Sequence, residues 1–134
     1  MSFNLPAELN KIENPYERTT LFAGGTSYHN ININTSYVKL CILFGGPDEG
    51  DSYKVSSEWT FKGENGEFFS IYDWKATNLY DTDSITVDQL RSLSTHDWHI
   101  GAVDRVSAIR FKEWVEKKLN SVVTLSKQME KNNG

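Results

Sequence analysis

Residues 54–75, KVSSEWTFKGENGEFFSIYDWK, are the stretch around which the fold is predicted to form. In its first half, apolar residues such as Trp59 and Phe61 alternate with polar ones, and this period of two is typical of a strand with one buried face. Asn65-Gly66 then predicts a turn, because both residue types tolerate a positive φ. The stretch is therefore predicted to be a β-hairpin, and it carries two of the four tryptophans.

Two registers of this hairpin compete. A two-residue loop would set Glu58 opposite Asp73, and like charges directly opposite each other are unfavourable. A three-residue loop that ends at a left-handed Gly66 would pair Trp59 with Ile71 and would unite the apolar residues on one face. Because a slip of one residue turns every side chain to the other face, burial favours the three-residue loop.

The favoured register leaves a second face that mixes aromatic and charged side chains, and we call it the open face. Such amphipathic aromatic surfaces are typical of binding sites. His99 joins this face if its neighbours Trp98 and Ile100 point to the core. The predicted ligand contacts are Lys54, Glu58, Tyr72, Trp74 and His99. The whole hairpin part of the open face is Lys54, Ser56, Glu58, Thr60, Lys62, Phe68, Ser70, Tyr72 and Trp74.

Length and composition limit the class of protein. A chain of 134 residues with 38% hydrophobic and 24% charged residues is expected to form a single globular domain over residues 1–134. The net charge of −4 argues against binding to long duplex nucleic acid, which needs a basic surface. No apolar run reaches the length of a membrane span, and residues 1–20 do not resemble a signal peptide, so no membrane partner is predicted. The single cysteine, Cys41, is interpreted as a buried small hydrophobe in a reducing, cytoplasmic setting.

The rest of the chain predicts an α+β fold, a small and mostly antiparallel sheet with helices packed on one face in the order β-α-β-β-(α)-β-α. Residues 35–45 fit either a strand or a helix, and the helix is favoured because Thr35 or Ser36 can cap its start and Gly45 its end. Before the hairpin, the predicted elements are an arm over residues 1–20 with a short helix near Ala7–Ile12, a strand over 27–33 and a loop over 45–52. After the hairpin, they are a short helix through Val87, Leu90 and Leu93, a strand over 96–101, a helix from Asp104 to Ser126 and a frayed tail over 127–134. The helix from Asp104 carries an apolar stripe at Ala108, Phe111, Val115, Leu119 and Val122.

Four short motifs occur together in this chain, within about residues 36–120. They are Phe44-Gly45-Gly46-Pro47, Lys54-Val55 with Glu58-Trp59, residues 71–75 (IYDWK), and residues 98–101 (WHIG) before a helix. In this order and spacing they resemble a group of small uncharacterised proteins of tailed bacteriophages and other large DNA viruses. The resemblance implies a viral accessory protein of the infected cell, and action on a host partner, including against a host defence, is the hypothesis built on it. It assigns no catalytic residue.

Three functions stay open, and the first is favoured. The first is a non-enzymatic binding protein for a host protein or a nucleotide-like ligand. Aromatic side chains on a sheet can stack bases, and lysines can contact phosphate. Strand parity places Lys75 off the open face. The second is a small metal-assisted hydrolase of a nucleotide or phosphoester, in which His99 and a neighbouring carboxylate such as Glu58 would form an acid–base pair. In this hypothesis Asp73, Asp81, Asp83 and Asp97 would supply Mg²⁺ ligands.

The third is a structural or assembly protein in which Trp114 makes the contact, and the oligomeric state is left open. No cofactor and no metal site are predicted. His96 and His99 would point to opposite faces of a strand, and the chain has neither an HExxH nor a CxxC motif.

Overall fold

The computed structural model describes residues 14–20 and 25–133, with side chains described for 14–20, 25–48 and 50–122. The short helix predicted near Ala7–Ile12 lies outside the described residues. Within them, the fold class is confirmed as α+β, with one antiparallel sheet and three helices.

The sheet has six strands, and every pairing between neighbouring strands is antiparallel. Its centre is β4 (Ser57–Gly63), which pairs along one edge with β5 (Phe68–Tyr72), followed by β6 (His96–Ala102) and then β2 (Ser27–Thr35). The other edge of β4 pairs with two short strands in turn, β1 (Tyr16–Thr19) and β3 (Asp48–Glu49).

The register of the β4–β5 hairpin is the predicted one. Trp59 lies opposite Ile71 and Phe61 opposite Phe69. Gly63 closes the three-residue loop by donating its backbone N–H to the carbonyl of Glu67 at 2.7 Å. Gly66 has a φ of 82°, a conformation that favours glycine because it has no Cβ. Burial of the apolar residues, as expected, decides the register.

The ambiguous segment after β2 is a helix, as predicted. This helix, α1 (Tyr37–Phe44), begins after Ser36, whose hydroxyl accepts from the backbone N–H of Lys39 at 3.1 Å. The second helix, α2 (Val87–Arg91), begins after Thr86, which forms a reciprocal capping box with Gln89. The last helix, α3 (Arg105–Asn133), is longer than predicted, and fraying of residues 127–134 stays a prediction.

One hydrophobic core lies between the sheet and the helices. Trp59 and Trp98 are both fully buried and meet edge to face at 5.4 Å between ring centroids. Their indole N–H groups donate to the carbonyls of Gly45 at 2.9 Å and Thr35 at 3.0 Å, so neither burial leaves a polar group unsatisfied. The predicted stripe of α3 packs onto this core, and all its members are buried: Ala108, Phe111, Val115, Leu119 and Val122.

Several features differ from the sequence-based expectations. Residues 48–49, predicted as part of a loop, form β3, and the first strand of the hairpin begins at Ser57 and not at Lys54. Trp114, predicted as an assembly contact, is buried, because α3 turns it toward Phe44, Phe61 and Tyr16 of the core. Residues 16–19, predicted only as part of an arm, form the edge strand β1. Arg18 fastens this strand by donating to the carbonyls of Phe44, Gly46 and Thr60 and by pairing with Asp48 at 3.3 Å.

Candidate functional site

A row of polar and aromatic side chains crosses the sheet on the face away from the helices. Cross-strand pairing places one residue per strand in this row, from β3 through β4, β5 and β6 to β2. Because side chains of paired residues point to the same face, the members lie side by side. Three of the predicted contacts, Glu58, Tyr72 and His99, are therefore direct neighbours. The complete row is Asp48, Glu58, Tyr72, His99 and Asn32.

An irregularity in β2 brings a further aromatic residue over this row. The pairing of β2 with β6 shifts between Tyr28 and Asn32, and Asn30 within the shift has a left-handed φ of 59°. The extra residues let the ring of Tyr28 lie over His99, with 4.1 Å between centroids and 33° between planes.

The same irregularity links Tyr28, Asn32 and His99 by hydrogen bonds. The Tyr28 hydroxyl donates to Asn32 Oδ1 at 2.5 Å, and Asn32 Nδ2 donates to His99 Nδ1 at 3.5 Å. Burial lowers the pKa of His99 against the opposing effect of Asp97. The ring is thus held neutral with Nδ1 as acceptor, which leaves its proton on Nε2.

The pKa values of the two other central members of the row are also shifted by their surroundings. Burial, with a smaller effect of the nearby Glu58, raises the pKa of Tyr72 to about 12, so that Tyr72 is a hydrogen-bond donor at neutral pH. Burial raises the pKa of Glu58, and the acidic Asp48 adds to this, although a hydrogen bond from Thr60 acts in the opposite direction. The row therefore offers neutral donors beside one half-buried carboxyl group.

Lysines and aromatic rings cluster where β5 ends. The Nζ atoms of Lys54 and Lys75 lie 5.7 Å and 5.3 Å from the ring centroid of Trp74. Lys75 Nζ also lies 4.8 Å from the ring of Tyr80, which contacts Tyr53 at 5.1 Å. A cation over an exposed ring contributes about 0.5–1 kcal/mol, so these contacts are weak enough for a ligand to displace them.

A buried carboxylate holds this cluster in place. Asp73 is 1% exposed, and its Oδ1 accepts the backbone N–H groups of Ser56 at 2.8 Å and Ser57 at 2.9 Å, while its Oδ2 accepts the Ser56 hydroxyl. The backbone N–H of Lys75 donates to the carbonyl of Lys54 at 2.6 Å beside it. Asp73 thereby joins the chain before β4 to the chain after β5 and sets both lysines around Trp74.

The aromatic rings form one continuous series, which we call the aromatic strip. Its rings contact one another or share a lysine, with 5.5 Å between His99 and Tyr72 and 6.2 Å between Tyr72 and Trp74. Among the described side chains, every exposed Phe, Tyr or Trp belongs to this strip. The strip comprises Tyr28, His99, Tyr72, Trp74, Tyr80 and Tyr53.

The structure brings all five predicted contact residues together, and it adds residues that the sequence analysis missed. Lys75 was placed off the open face by strand parity, which is wrong because its left-handed φ of 52° breaks the alternation. Tyr28, Tyr53 and Tyr80 stand in or beside irregular segments, where no periodicity indicates the direction of a side chain. The open face is also less open than expected at its centre, where Thr60 and Ser70 are each 7% exposed.

The aspartates proposed for metal-assisted hydrolysis do not converge. Asp73 is buried on backbone donors, Asp81 caps its own exposed turn by accepting from the N–H of Asp83, and Asp97 is exposed on β6. Among the described residues, no group of three or more His, Cys, Asp or Glu side chains is placed to hold a metal ion. His96 and His99 point to opposite faces, as predicted: His96 contacts Trp98 of the core, whereas His99 contacts Tyr28.

No protein-family model matches this sequence, and a comparison with curated proteins found no significant match. Over the described part of the chain, no helix is both long enough and apolar enough to cross a membrane. The features that point to a function are therefore the geometry of the aromatic strip and of the polar row beside it.

Proposed function

We propose that this protein is a small non-enzymatic binding protein whose ligand docks on the aromatic strip. The observation that carries this proposal is the concentration of the exposed aromatic rings: among the described side chains, Tyr28, Tyr53, Trp74 and Tyr80 are 38–53% exposed, and all belong to the strip. Exposed aromatic surface is costly in water, and its concentration in one place is typical of a binding site. The resemblance to viral proteins supports a role in the infected host cell, with a host protein or a nucleotide-like molecule as ligand.

Binding is favoured over hydrolysis by the state of His99. A general base needs an unprotonated nitrogen that faces the substrate, but Nδ1 of His99 already accepts from Asn32 and Nε2 carries the proton. Tyr72 is likewise held as a donor by its raised pKa. These groups are suited to donating hydrogen bonds to a bound molecule. The strip therefore resembles a recognition surface more than an acid–base centre.

The proposal is tested by native mass spectrometry of the protein purified from the cells that express it. A co-purifying small molecule or host protein is expected with the wild type, and Trp74→Ala alone or with Tyr72→Ala is expected to weaken its capture by about 30-fold, the effect of losing an aromatic hot spot. Val38→Ala/Val106→Ala is the matched control, because both valines are exposed on helices away from the strip.

Circular dichroism establishes that each variant is folded, and Trp74→Ala removes a side chain that is 41% exposed, so its fold is expected to survive. Equal capture by the wild type and by a folded Trp74→Ala variant would show that the aromatic strip is not the docking site. Equal loss in the valine control would show that the effect does not come from the strip.

A further inference from the structure

We infer that the ligand of the aromatic strip is a nucleotide unit, free or in a short single strand, whose phosphate is bound by Lys54 and Lys75 and whose base stacks on Trp74. This inference rests on the proposed function and names its ligand. It follows from the charge, the exposed rings and the polar row, which are arranged in the order that such a ligand requires.

Two ammonium groups at one end of the strip are available to an anion. The ion pairs found among the described residues are Arg18–Asp48 and Lys112–Glu116, so neither Lys54 nor Lys75 forms one there. The nearby carboxylate of Asp51 accepts the backbone N–H groups of residues 53–55, and the charge of Lys54 helps to lower its pKa without forming an ion pair with it. Both lysine ammoniums rest over the ring of Trp74, and phosphate is the stronger partner for a lysine than an aromatic ring in water.

A phosphate bound at this place uncovers a stacking surface. Lysine has a flexible four-carbon stem, so its ammonium can leave the ring while the backbone stays in place. When Lys54 and Lys75 turn to a phosphate, the exposed ring of Trp74 becomes free for a base. Stacking of an unpaired base on an aromatic side chain beside lysines is the usual mode of single-strand recognition. The same lysines thus lie over part of the exposed ring in the free protein and bind the phosphate in the complex.

The strip also has a polarity. From Trp74 a ligand reaches Tyr72 on β5 and then His99 on β6, which offer a hydroxyl donor and the protonated Nε2. Glu58 continues the row on β4 and disfavours a phosphate on that side, whereas Asp48 on β3 is paired with Arg18. The phosphate is therefore directed to the lysines, and the base edge or sugar hydroxyls are directed to Tyr72 and His99.

Isothermal titration calorimetry of the full chain tests this inference with three probes: AMP, adenosine, and an oligothymidylate of about eight nucleotides, within the range of single-strand site sizes. AMP is expected to bind at least about tenfold more tightly than adenosine, the effect of one charge-assisted hydrogen bond. Lys54→Ala/Lys75→Ala is expected to abolish this difference, whereas Trp74→Ala is expected to weaken both probes. Lys117→Ala, which changes an exposed lysine on α3, is the matched control and is expected to change neither.

Each outcome decides a separate question. Tighter binding of the oligothymidylate than of AMP identifies a single strand as the ligand, and binding no tighter than that of AMP identifies a free nucleotide. Equal binding of AMP and adenosine by the wild type would overturn the role of the lysines. If none of the three probes binds while Trp74→Ala still loses its captured partner, the nucleotide inference is wrong and the proposed function stands. If that capture is also unaffected, the proposed function fails as well.

Discussion

Asp73→Ala is expected to lower the free energy of unfolding by about 3–5 kcal/mol. The substitution leaves three hydrogen-bond donors without an acceptor, two of them backbone N–H groups, and each buried donor without a partner lowers stability by about 1–3 kcal/mol. These donors are the N–H groups of Ser56 and Ser57 and the Ser56 hydroxyl. Ser57 is fully buried, so water cannot replace the lost carboxylate at that position.

Asp73→Asn separates the effect of geometry from that of charge. The side-chain oxygen of asparagine can keep both backbone bonds made by Oδ1, and the Ser56 hydroxyl can rotate to accept from the new amide. Only the charge assistance is lost, and neutral hydrogen bonds have roughly half the strength of charge-assisted ones, so a loss of about 1–2 kcal/mol is expected. Asp97→Asn, at an exposed position of β6, is the control and is expected to stay within about 0.5 kcal/mol.

Urea unfolding followed by tryptophan fluorescence measures these changes, because Trp59 and Trp98 lie in the core. The expected order is wild type and Asp97→Asn, then Asp73→Asn, then Asp73→Ala. If Asp73→Ala costs no more than Asp97→Asn, the carboxylate does not join the two chain segments, and the account of how Lys54 and Lys75 reach Trp74 is wrong. If Asp73→Asn costs as much as alanine, then charge and not hydrogen-bond geometry stabilises the junction.

Four further predictions follow from local features. Gly66→Ala is expected to lower the free energy of unfolding by about 1–2 kcal/mol because φ is positive there, and no atom crowds the new Cβ, so the backbone conformation alone accounts for the loss. Gly46→Ala, also in open space but without a positive φ, is its control in the same unfolding assay. Equal losses in the two variants would contradict this prediction. Thr86→Ala is expected to cost about 0.5–2 kcal/mol by removing the cap of α2, with Thr86→Ser as the conservative control. Burial lowers the pKa of His99, so the unfolded chain binds this proton at a higher pH than the folded chain does, and stability is expected to fall as pH drops through about 6.5. His99→Gln is expected to flatten that part of the profile, and an unchanged profile would contradict this. If a single strand binds, calorimetry at several salt concentrations measures how its association constant K depends on salt. The plot of log K against log salt concentration is expected to have a slope of about −1.4 for two phosphate contacts in the wild type, and a slope near zero in Lys54→Ala/Lys75→Ala.

The pH profile also contains an effect of opposite sign. Burial raises the pKa of Glu58, so the folded chain binds this proton more tightly than the unfolded chain does. The resulting stabilisation is complete below the usual glutamate pKa of about 4.5, and it is lost as the pH rises through the higher pKa of Glu58 in the folded chain. Comparing the wild type with His99→Gln at each pH removes this contribution, because Glu58 is present in both proteins.

The candidate site was only partly predictable from the sequence. Glu58 and Tyr72 follow from the hairpin register, and His99 follows from the burial of Trp98, because strand alternation carries these assignments. Lys54 and Trp74 were predicted by the same alternation, but they lie outside β4 and β5 and are positioned by the junction at Asp73. Tyr28 was not predicted, since its position over His99 depends on a shift within β2. The site is thus predictable where the backbone is regular.

The sequence by itself determined the local structure: the β4–β5 register, the capped start of α1 at Ser36, and the buried stripe of α3. These features depend on periodicity and capping over a few residues, which tertiary contacts here reinforce. Only the tertiary structure decided the aromatic strip, because strand order brings Tyr28 to His99 across separate parts of the chain, and because the left-handed backbone of Lys75 turns its ammonium to Trp74. No local pattern in the sequence encodes which strands become neighbours or where the alternation of side chains breaks.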